Sequence, residues 1–219
     1  MKRHSSNIVI GAGLLGLFLG FRFWQSPASR LTRSEIDCYL AAIDLQLPLP
    51  TEEKKDLLDR LHAWAEADDG KPVCMLNLMR FHERPDLTYP GAPPDFAGSA
   101  IEANAYYEAN VLHLALGMGA YPLVSGMTQG RNLIPVEPAL DDWSRVIMMR
   151  YPSRRAFLQL LADPAYAPLE PYKMMSLKIA LVPVSGDLVV PNMTLAVGST
   201  LIVLFLTAGW IGANLAGSE

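Results

Sequence analysis

The stretch Val73–Phe81 reads Val-Cys-Met-Leu-Asn-Leu-Met-Arg-Phe and is almost unbroken in its apolar character. Residues 70–72, Gly-Lys-Pro, precede it, and a polar, proline-rich segment follows it. Its length and flanks favour a strand buried on both faces over a helix. Because side chains alternate along a strand, Asn77 is the polar residue of one face and Arg80 that of the other. We therefore predict the central strand of a small sheet.

The composition fits one ordinary domain with additional apolar segments. The chain has 219 residues, of which 51% are hydrophobic, and the apolar excess lies at its two ends. Residues 26–187 contain 15 Lys and Arg against 21 Asp and Glu. Since no basic stripe is present, we expect no nucleic-acid partner.

The cysteines and histidines show no metal-ligand spacing. Cys38 and Cys74 form no Cys-x-x-Cys pair, so a zinc site is not predicted and a disulfide has no support from spacing. The four histidines are scattered along the chain, at positions 4, 62, 82 and 113. We expect no metal.

The first apolar segment, Asn7–Trp24, is predicted to cross a membrane. Its uncharged run covers residues 8–21 and is short, since a hydrocarbon core of ~30 Å needs about 20 helical residues. Arg22 can snorkel and Trp24 can lie among the head groups, which lengthens the segment. The alternative is a cleaved signal peptide, but Pro27 makes a poor cleavage site. We predict an uncleaved anchor.

The second apolar segment carries no charged residue from 188 to 218 and is predicted to be a spanning helix. Small residues recur every four positions in both segments, and such stripes let helices approach closely in lipid. The two segments are expected to pack on each other, or to pair between protomers, unless these residues only reflect how common Gly and Ala are in membrane helices. The residues of the stripes are Ala12, Gly16, Gly20, Ala208, Gly212 and Ala216.

These segments divide the chain into four predicted parts. They are a membrane segment (1–25), a helical extension (26–71), an α+β domain (72–185) and a membrane helix (188–216). We expect membrane lipid as a partner and a location in the cell's inner membrane. The count of Lys and Arg near the membrane slightly favours a cytoplasmic domain, whereas the basic start of the chain favours the opposite orientation.

The middle of the chain alternates helical and strand patterns. Capping-box spacing at Ser99 and Glu102 predicts the start of a long helix. Its helical wheel predicts a packed face of Ile101, Ala105, Leu112, Ala115 and Leu116. The other predicted helices cover residues 30–47, follow a predicted cap at Thr51, and start at Ser153 to be stopped by Pro164. The remaining predicted strands are Tyr121–Thr128, Trp143–Tyr151 and Met174–Pro183.

The resulting order is strand–helix–strand–strand–helix–strand, the ferredoxin-like βαββαβ arrangement of the α+β class. A sheet of this kind has helices on one face only. Because the strand Val73–Phe81 is apolar on both faces, the other face needs a cover. We predict a homodimer with the two sheets face to face.

Several stretches together resemble the domain-of-unknown-function 1330 family. They are Pro72–Phe81, Glu102–Tyr107, Asp142-Trp143, Arg150–Arg154 and Lys178–Pro183, and the likeness extends over roughly residues 49–184. The resemblance implies a dimeric α+β-barrel fold and little about activity, since fold does not fix function. Related barrels include cofactor-independent monooxygenases, haem-degrading enzymes, cyclases and isomerases.

Polar residues near the predicted cleft are the candidate ligand-binding residues. Asn77, Asn104 and Tyr107 match the family pattern, and buried amides and phenols need partners or ligands. Arg80 can bind a carboxylate, or pair with Glu83 or Asp86. The full candidate set is Asn77, Arg80, His82, Asn104, Tyr107, Glu108 and Arg150, with Arg150 as the predicted partner of Glu108.

No pattern identifies a catalytic set. The sequence contains no Ser/His/Asp arrangement, and the glycines at 11, 13 and 16 lie in an apolar segment without a preceding strand, so they are not a dinucleotide fingerprint. We predict no cofactor. Haem on His113 would follow from fold analogy alone, and the wheel points His113 away from the sheet.

The leading prediction is a membrane-anchored, dimeric domain that binds a small lipophilic molecule. One alternative is a cofactor-independent enzyme of the monooxygenase, cyclase or isomerase type, acting through Arg80, Tyr107 or His82. The other is a membrane scaffold. The apolar strand with sparse polar residues beside two membrane segments favours the first.

Overall fold

The computed structural model describes residues 2–26, 28–134, 137, 142–186, 189 and 192–217. The chain forms two compact units, Met1–Ser26 with Asp187–Glu219, and Pro27–Gly186. The described helices are α1 (Lys2–Trp24), α2 (Arg33–Gln46), α3 (Thr51–Glu66), α4 (Ala100–Gly117), α5 (Arg154–Ala162), α6 (Glu170–Met174) and α7 (Met193–Gly217). The described strands are β1 (Val73–Phe81), β2 (Tyr121–Met127), β3 (Arg145–Tyr151) and β4 (Leu177–Val184).

The unit Pro27–Gly186 contains a four-stranded antiparallel sheet with the order β2-β3-β1-β4. β1 is central and has the predicted boundaries. Both outer strands contain a proline, Pro122 in β2 and Pro183 in β4, and the register of β2 against β3 shifts between Pro122 and Val124. The fold is therefore a mixed α+β fold.

The core lies on the face of β1 that carries Val73, Met75, Asn77 and Met79. Ile36 and Ile43 of α2 and Leu61 of α3 belong to one buried cluster with Val73 and Met75. α2 also packs against α5. The helical extension and the sheet thus share one core.

A buried carboxylate joins the extension to the start of β1. Asp68 accepts hydrogen bonds from the backbone N–H of Leu31 (2.9 Å) and of Gly70 (3.1 Å). Gly70 has φ +75°, and a Cβ there would lie 3.0 Å from the Ala28 carbonyl oxygen. Only glycine fits this turn without strain.

Helix boundaries follow their caps. Ser99 and Glu102 form the predicted capping box of α4. α2 starts at Arg33 rather than Arg30, because Thr32 and Glu35 form a capping box there. Thr51 is the first residue of α3 rather than its cap; Pro50 holds the cap position.

Two details of the predicted elements were wrong. The buried residues of α4 are Ala100, Ala103, Asn104, Tyr107 and Ala115, whereas Ile101 is 56% exposed. The buried side chains of α4 are therefore small or polar ones rather than the predicted leucines. The residues before β4 form α6, since Pro171 lies in its first turn and the strand starts only at Leu177.

The other unit pairs α1 with α7. A Cβ on Gly11 would lie 3.2 Å from the Phe205 ring, and one on Gly198 would lie 3.3 Å from the Phe18 ring. Each glycine therefore accepts an aromatic ring of the other helix. The prediction that the two segments of one chain pack through the small-residue stripes was wrong, because Gly16, Gly20 and Gly212 have nothing within 4 Å of a built Cβ. Pairing between chains through these stripes stays a prediction.

Candidate functional site

A cavity of about 190 Å³ lies between α4, α5 and the sheet. Its apolar wall comes from strands β1 and β3 and from both helices, with Met75, Met79, Ile147, Met149 and Phe157 among its residues. The cavity is open to solvent, and the exposed side chains of its lining are Leu112, Pro122, Ser125 and Leu181. The polar and aromatic lining residues are Asn77, Asn104, Tyr107, Glu108, Tyr151, Tyr166 and Lys173.

Asn77 is the polar residue of β1 that faces this cavity, and it is 7% exposed. Its Nδ2 donates to the carbonyl oxygens of Met75 (3.1 Å) and Ile147 (3.4 Å). The amide oxygen, Oδ1, accepts a hydrogen bond from Lys173 Nζ at 3.0 Å. Asn77 therefore stabilises the strands and holds a cation at the cavity wall.

Glu108 accepts two parallel hydrogen bonds from the guanidinium group of Arg145. Arg145 Nε donates to Glu108 Oε1 (2.8 Å) and Nη2 to Oε2 (2.6 Å). The predicted partner, Arg150, was wrong. Arg150 lies on the opposite face of β3, where its guanidinium is 5.5 Å from the centre of the Tyr121 ring. Arg145 shares the face of Ile147 and Met149, toward which α4 packs.

Asn104 is oriented by the same carboxylate. Its Nδ2 donates to Glu108 Oε1 at 2.6 Å, and since a carboxylate only accepts, this fixes which end of the amide carries the oxygen. Asn104 is 2% exposed, and its Oδ1 is buried without a hydrogen-bond partner in the described part of the chain. A buried acceptor without a partner costs about 1–3 kcal/mol, so a donor from a ligand would be favourable here.

Three buried tyrosines form the aromatic end of the cavity. The rings of Tyr107 and Tyr166 meet edge to face, with centroids 6.4 Å apart. Burial raises the pKa of Tyr107, of Tyr151 and of Tyr166 above the ordinary range of a phenol. All three hydroxyls are therefore protonated at neutral pH and serve as hydrogen-bond donors rather than as bases.

Lys173 was missed by the sequence analysis. It lies on α6, and its Nζ is 5.1 Å from the centre of the Tyr107 ring. Burial lowers the pKa of its ammonium group to about 8, although Glu108 and Glu170 act in the opposite direction. The signal that could have found it is weak, since a five-residue helix has too few turns to show an apolar period.

Three predicted residues do not line the cavity: Arg80, His82 and Arg150. Arg80 Nε donates to the Asp142 carbonyl oxygen (2.5 Å) and lies 3.4 Å from its carboxylate, rather than pairing with the loop acids Glu83 or Asp86. The His82 backbone N–H donates to the Ser176 carbonyl oxygen (3.0 Å). These two residues lie at the end of β1 that carries the loop.

The described residues contain no group of three or more His, Cys, Asp and Glu side chains that could hold a metal ion. The polar groups of the cavity are amides, phenols, one carboxylate bound to an arginine, and one amine. Such a set binds and orients an organic molecule through hydrogen bonds.

No family model and no curated protein matches the chain. Membership of the domain-of-unknown-function 1330 family therefore stays a prediction. Solved structures similar to the chain include the following three. Methylated RPA0582 aligns with a TM-score of 0.50 at 23% identity, covering 66% of this chain and 96% of that chain.

RPA0582, a protein of unknown function from Rhodopseudomonas palustris, aligns in a second structure with a TM-score of 0.49 at 24% identity, over 63% of this chain and 95% of that one. SnoaB, a cofactor-independent oxygenase from Streptomyces nogalater, aligns with a TM-score of 0.37 at 13% identity, over 56% and 99%. The likeness to methylated RPA0582 shows a shared α+β fold and nothing about activity.

The corrected ion pair predicts an energetic coupling between Glu108 and Arg145. In a double-mutant cycle with Glu108→Gln and Arg145→Met, we expect a coupling of roughly 1–3 kcal/mol, because the pair is half-buried and doubly bonded. The measurement is the urea midpoint of the full chain in mild detergent. The matched cycle with Arg150→Met should give less than about 0.5 kcal/mol. Equal couplings in the two cycles would contradict this assignment.

Proposed function

We propose that the protein binds a small lipophilic molecule that carries a hydrogen-bonding oxygen. The observation that carries this proposal is Asn104 Oδ1, a buried acceptor without a described partner in the wall of a largely apolar cavity. Its orientation is fixed by Glu108 and Arg145, so the amide cannot turn to find a partner of its own. A ligand hydroxyl satisfies it.

The volume limits the ligand to about one ring. At about 190 Å³ the cavity is smaller than the ~300–1,000 Å³ of sites for drug-sized ligands. It is slightly larger than the ~150 Å³ apolar cavity that binds benzene. A phenol or a cyclic enol fits both the size and the polarity.

Lys173 and Asn77 extend the specificity to oxygen atoms that carry negative charge. Most of the amine is protonated at pH 7, because its pKa is about 8. An ammonium group in an apolar wall favours a phenolate, enolate or carboxylate oxygen. The proposed ligand class is therefore a small ring with an acidic or hydrogen-bonding oxygen.

A cofactor-independent enzyme is the second candidate, supported by the titration of Lys173 near neutral pH. An amine with a pKa of about 8 can accept a proton from a bound carbon or oxygen acid. Tyr107, a ligand-binding candidate that this alternative would use in catalysis, is better suited to donate a hydrogen bond, since burial raises its pKa. Arg80 and His82 lie outside the cavity lining.

We also propose that the sheet is ferredoxin-like and that two copies pair through its open face. β1, β3 and β4 place Leu76, Leu78, Val146, Met148, Ala180 and Val182 on the face opposite the core. Val182 is 43% exposed. The charged side chains of this face, Arg80, Arg150 and Lys178, lie near the strand ends and leave its centre apolar. An apolar centre of this kind is typical of an interface.

The unit of α1 and α7 is proposed as a membrane anchor. Both helices are long and apolar enough to cross a membrane, over Asn7–Trp24 and Met193–Gly212. Large apolar side chains on them are exposed, Leu195 and Ile202 for example, and this favours lipid over water as their surroundings. The count of Lys and Arg slightly favours the cytoplasmic side of the inner membrane for the other unit, and we propose that side.

Phenol is the probe for the cavity, and methionine methyl signals are the readout. In the full chain labelled with ¹³C-methyl methionine, we expect phenol to shift the methyl signals of Met75, Met79 and Met149, which line the cavity. The signal of Met127, which is exposed, should not change. Phenol should bind roughly tenfold more tightly than toluene, because it satisfies Asn104. Asn104→Leu should remove that preference.

The control for this experiment is a pair of substitutions on α4. Ala115→Leu fills the cavity and should abolish the shifts, whereas Ala109→Leu, on the exposed side of the same helix, should leave them. Two outcomes would rule out binding at this cavity. In one, phenol shifts the signals of all methionines equally; in the other, the phenol-induced shifts are the same in Ala115→Leu as in the unmodified chain.

The open sheet face predicts a dimer that one charge disrupts. Light scattering of the full chain in detergent should give the mass of two chains, and Leu76→Glu should give one, because a buried carboxylate in an apolar interface is unfavourable. Leu45→Glu, at an 87% exposed position of α2, is the control and should remain dimeric. A monomeric unmodified chain would be the contrary result.

The anchor can be tested through the natural cysteines. Cys38 is exposed and Cys74 is buried, so a membrane-impermeant maleimide should label Cys38 alone, and Cys38→Ser gives the blank. We expect the chain to stay in membranes washed with alkaline carbonate and to be labelled only after the cells are permeabilised. Release by carbonate would refute the anchor, and labelling of sealed cells would refute a cytoplasmic side.

A further inference from the structure

Lys173 is the lysine that lines the cavity. Its Nζ lies at the wall, 3.0 Å from Asn77 Oδ1 and 5.1 Å from the centre of the Tyr107 ring. Both neighbours are uncharged. The amine forms no ion pair with a carboxylate in the described part of the chain.

The surroundings of this amine are rigid. Asn77 Nδ2 is bonded to two carbonyl oxygens of the sheet, so Oδ1 stays directed at the amine. Tyr107 is 7% exposed and belongs to the core. Two carboxyl groups act on Lys173 through their charge, Glu108 and Glu170. Arg145 neutralises Glu108, and burial raises the pKa of Glu170.

The unprotonated fraction of Lys173 near neutral pH is larger than that of an exposed lysine. Burial lowers the pKa of Lys173 to about 8, so a fraction of the amine carries a free lone pair near neutral pH. An unprotonated, fixed amine beside a cavity is the arrangement that amine nucleophiles require.

We propose that Lys173 forms an imine with a small aldehyde or ketone bound in the cavity. This inference rests on the proposed function, because it needs the cavity to admit a ligand of about one ring. It names the carbonyl group as the chemistry that the amine recognises.

The step needs no oxidant or reductant. The nitrogen lone pair forms a bond to the carbonyl carbon, and one proton moves from nitrogen to the former carbonyl oxygen to give a carbinolamine. The carbon–oxygen bond then breaks, and the oxygen leaves as water with the second nitrogen proton. One amine and one carbonyl compound thus give one imine and one water.

Reductive trapping with benzaldehyde tests the proposal on the full chain in mild detergent. Sodium cyanoborohydride reduces the imine to a stable secondary amine, and peptide mass mapping locates the added benzyl group. We expect Lys173 to be modified well before the exposed lysines such as Lys71 and Lys178, and its rate to rise with pH through about 8. Phenol, which occupies the cavity, should slow the modification of Lys173 alone.

Three variants separate a nucleophile from a structural lysine. Lys173→Arg keeps the charge and should abolish the fast adduct, whereas Lys178→Arg should retain it. Asn77→Asp places a carboxylate beside the amine, which raises its pKa; we expect the neutral-pH rate to fall between roughly ten- and a thousandfold and to recover at higher pH. A structural role alone would not shift the pH profile. Retained methionine spectra show that each variant is folded.

The outcomes distinguish this inference from the proposed function. If phenol shifts the cavity methionines but Lys173 reacts no faster than the exposed lysines, the binding site stands and the imine chemistry is refuted. If phenol gives no shift and benzaldehyde gives no adduct, both proposals fail. An unchanged fast adduct in Lys173→Arg would also overturn the assignment.

Discussion

The hydrogen-bonded position of β1 at the centre of the sheet is the constraint on which the structure depends. Because β1 pairs with β3 on one side and β4 on the other, its alternation is locked and each side chain has one face. One face meets the core through Val73 and Met75, and the same face presents Asn77 to the cavity. A slip of one residue would exchange Asn77 for Leu76 or Leu78 and place Arg80 toward the helices.

The polar groups of the cavity form a connected support rather than isolated contacts. Asn77 is hydrogen-bonded to the sheet and accepts a hydrogen bond from Lys173. Arg145 donates two hydrogen bonds to Glu108, and Glu108 accepts one from Asn104. Lys173 and Glu108 are thus each bound by a residue of another element, and Asn104 is oriented by Glu108 of its own helix α4. Such support fixes positions better than a loop does, at the cost of burying an amine and an amide oxygen.

Much of this arrangement could be predicted from the sequence, because strong local signals agree with the fold. The alternation of β1 predicted that Asn77 and Arg80 lie on opposite faces of the sheet, and capping-box spacing predicted the start of α4. Arg145 was missed because the choice between it and Arg150 depends on the register Cys74–Arg150 and on which sheet face α4 covers. Lys173 was missed because α6 is too short for a helical period, and its partner Asn77 is 96 residues away. Neither the register of two strands nor a contact between distant residues can be read from a local sequence pattern.

The two outer strands have a consequence for how copies of the chain can meet. A proline has no N–H to donate, and Pro122 and Pro183 place one such gap on each side of the sheet, with an added irregularity in β2. Strand addition at either edge, the usual route to aggregation, is thereby disfavoured. The sheet therefore stays four strands wide, and open-ended chains of copies joined edge to edge are disfavoured.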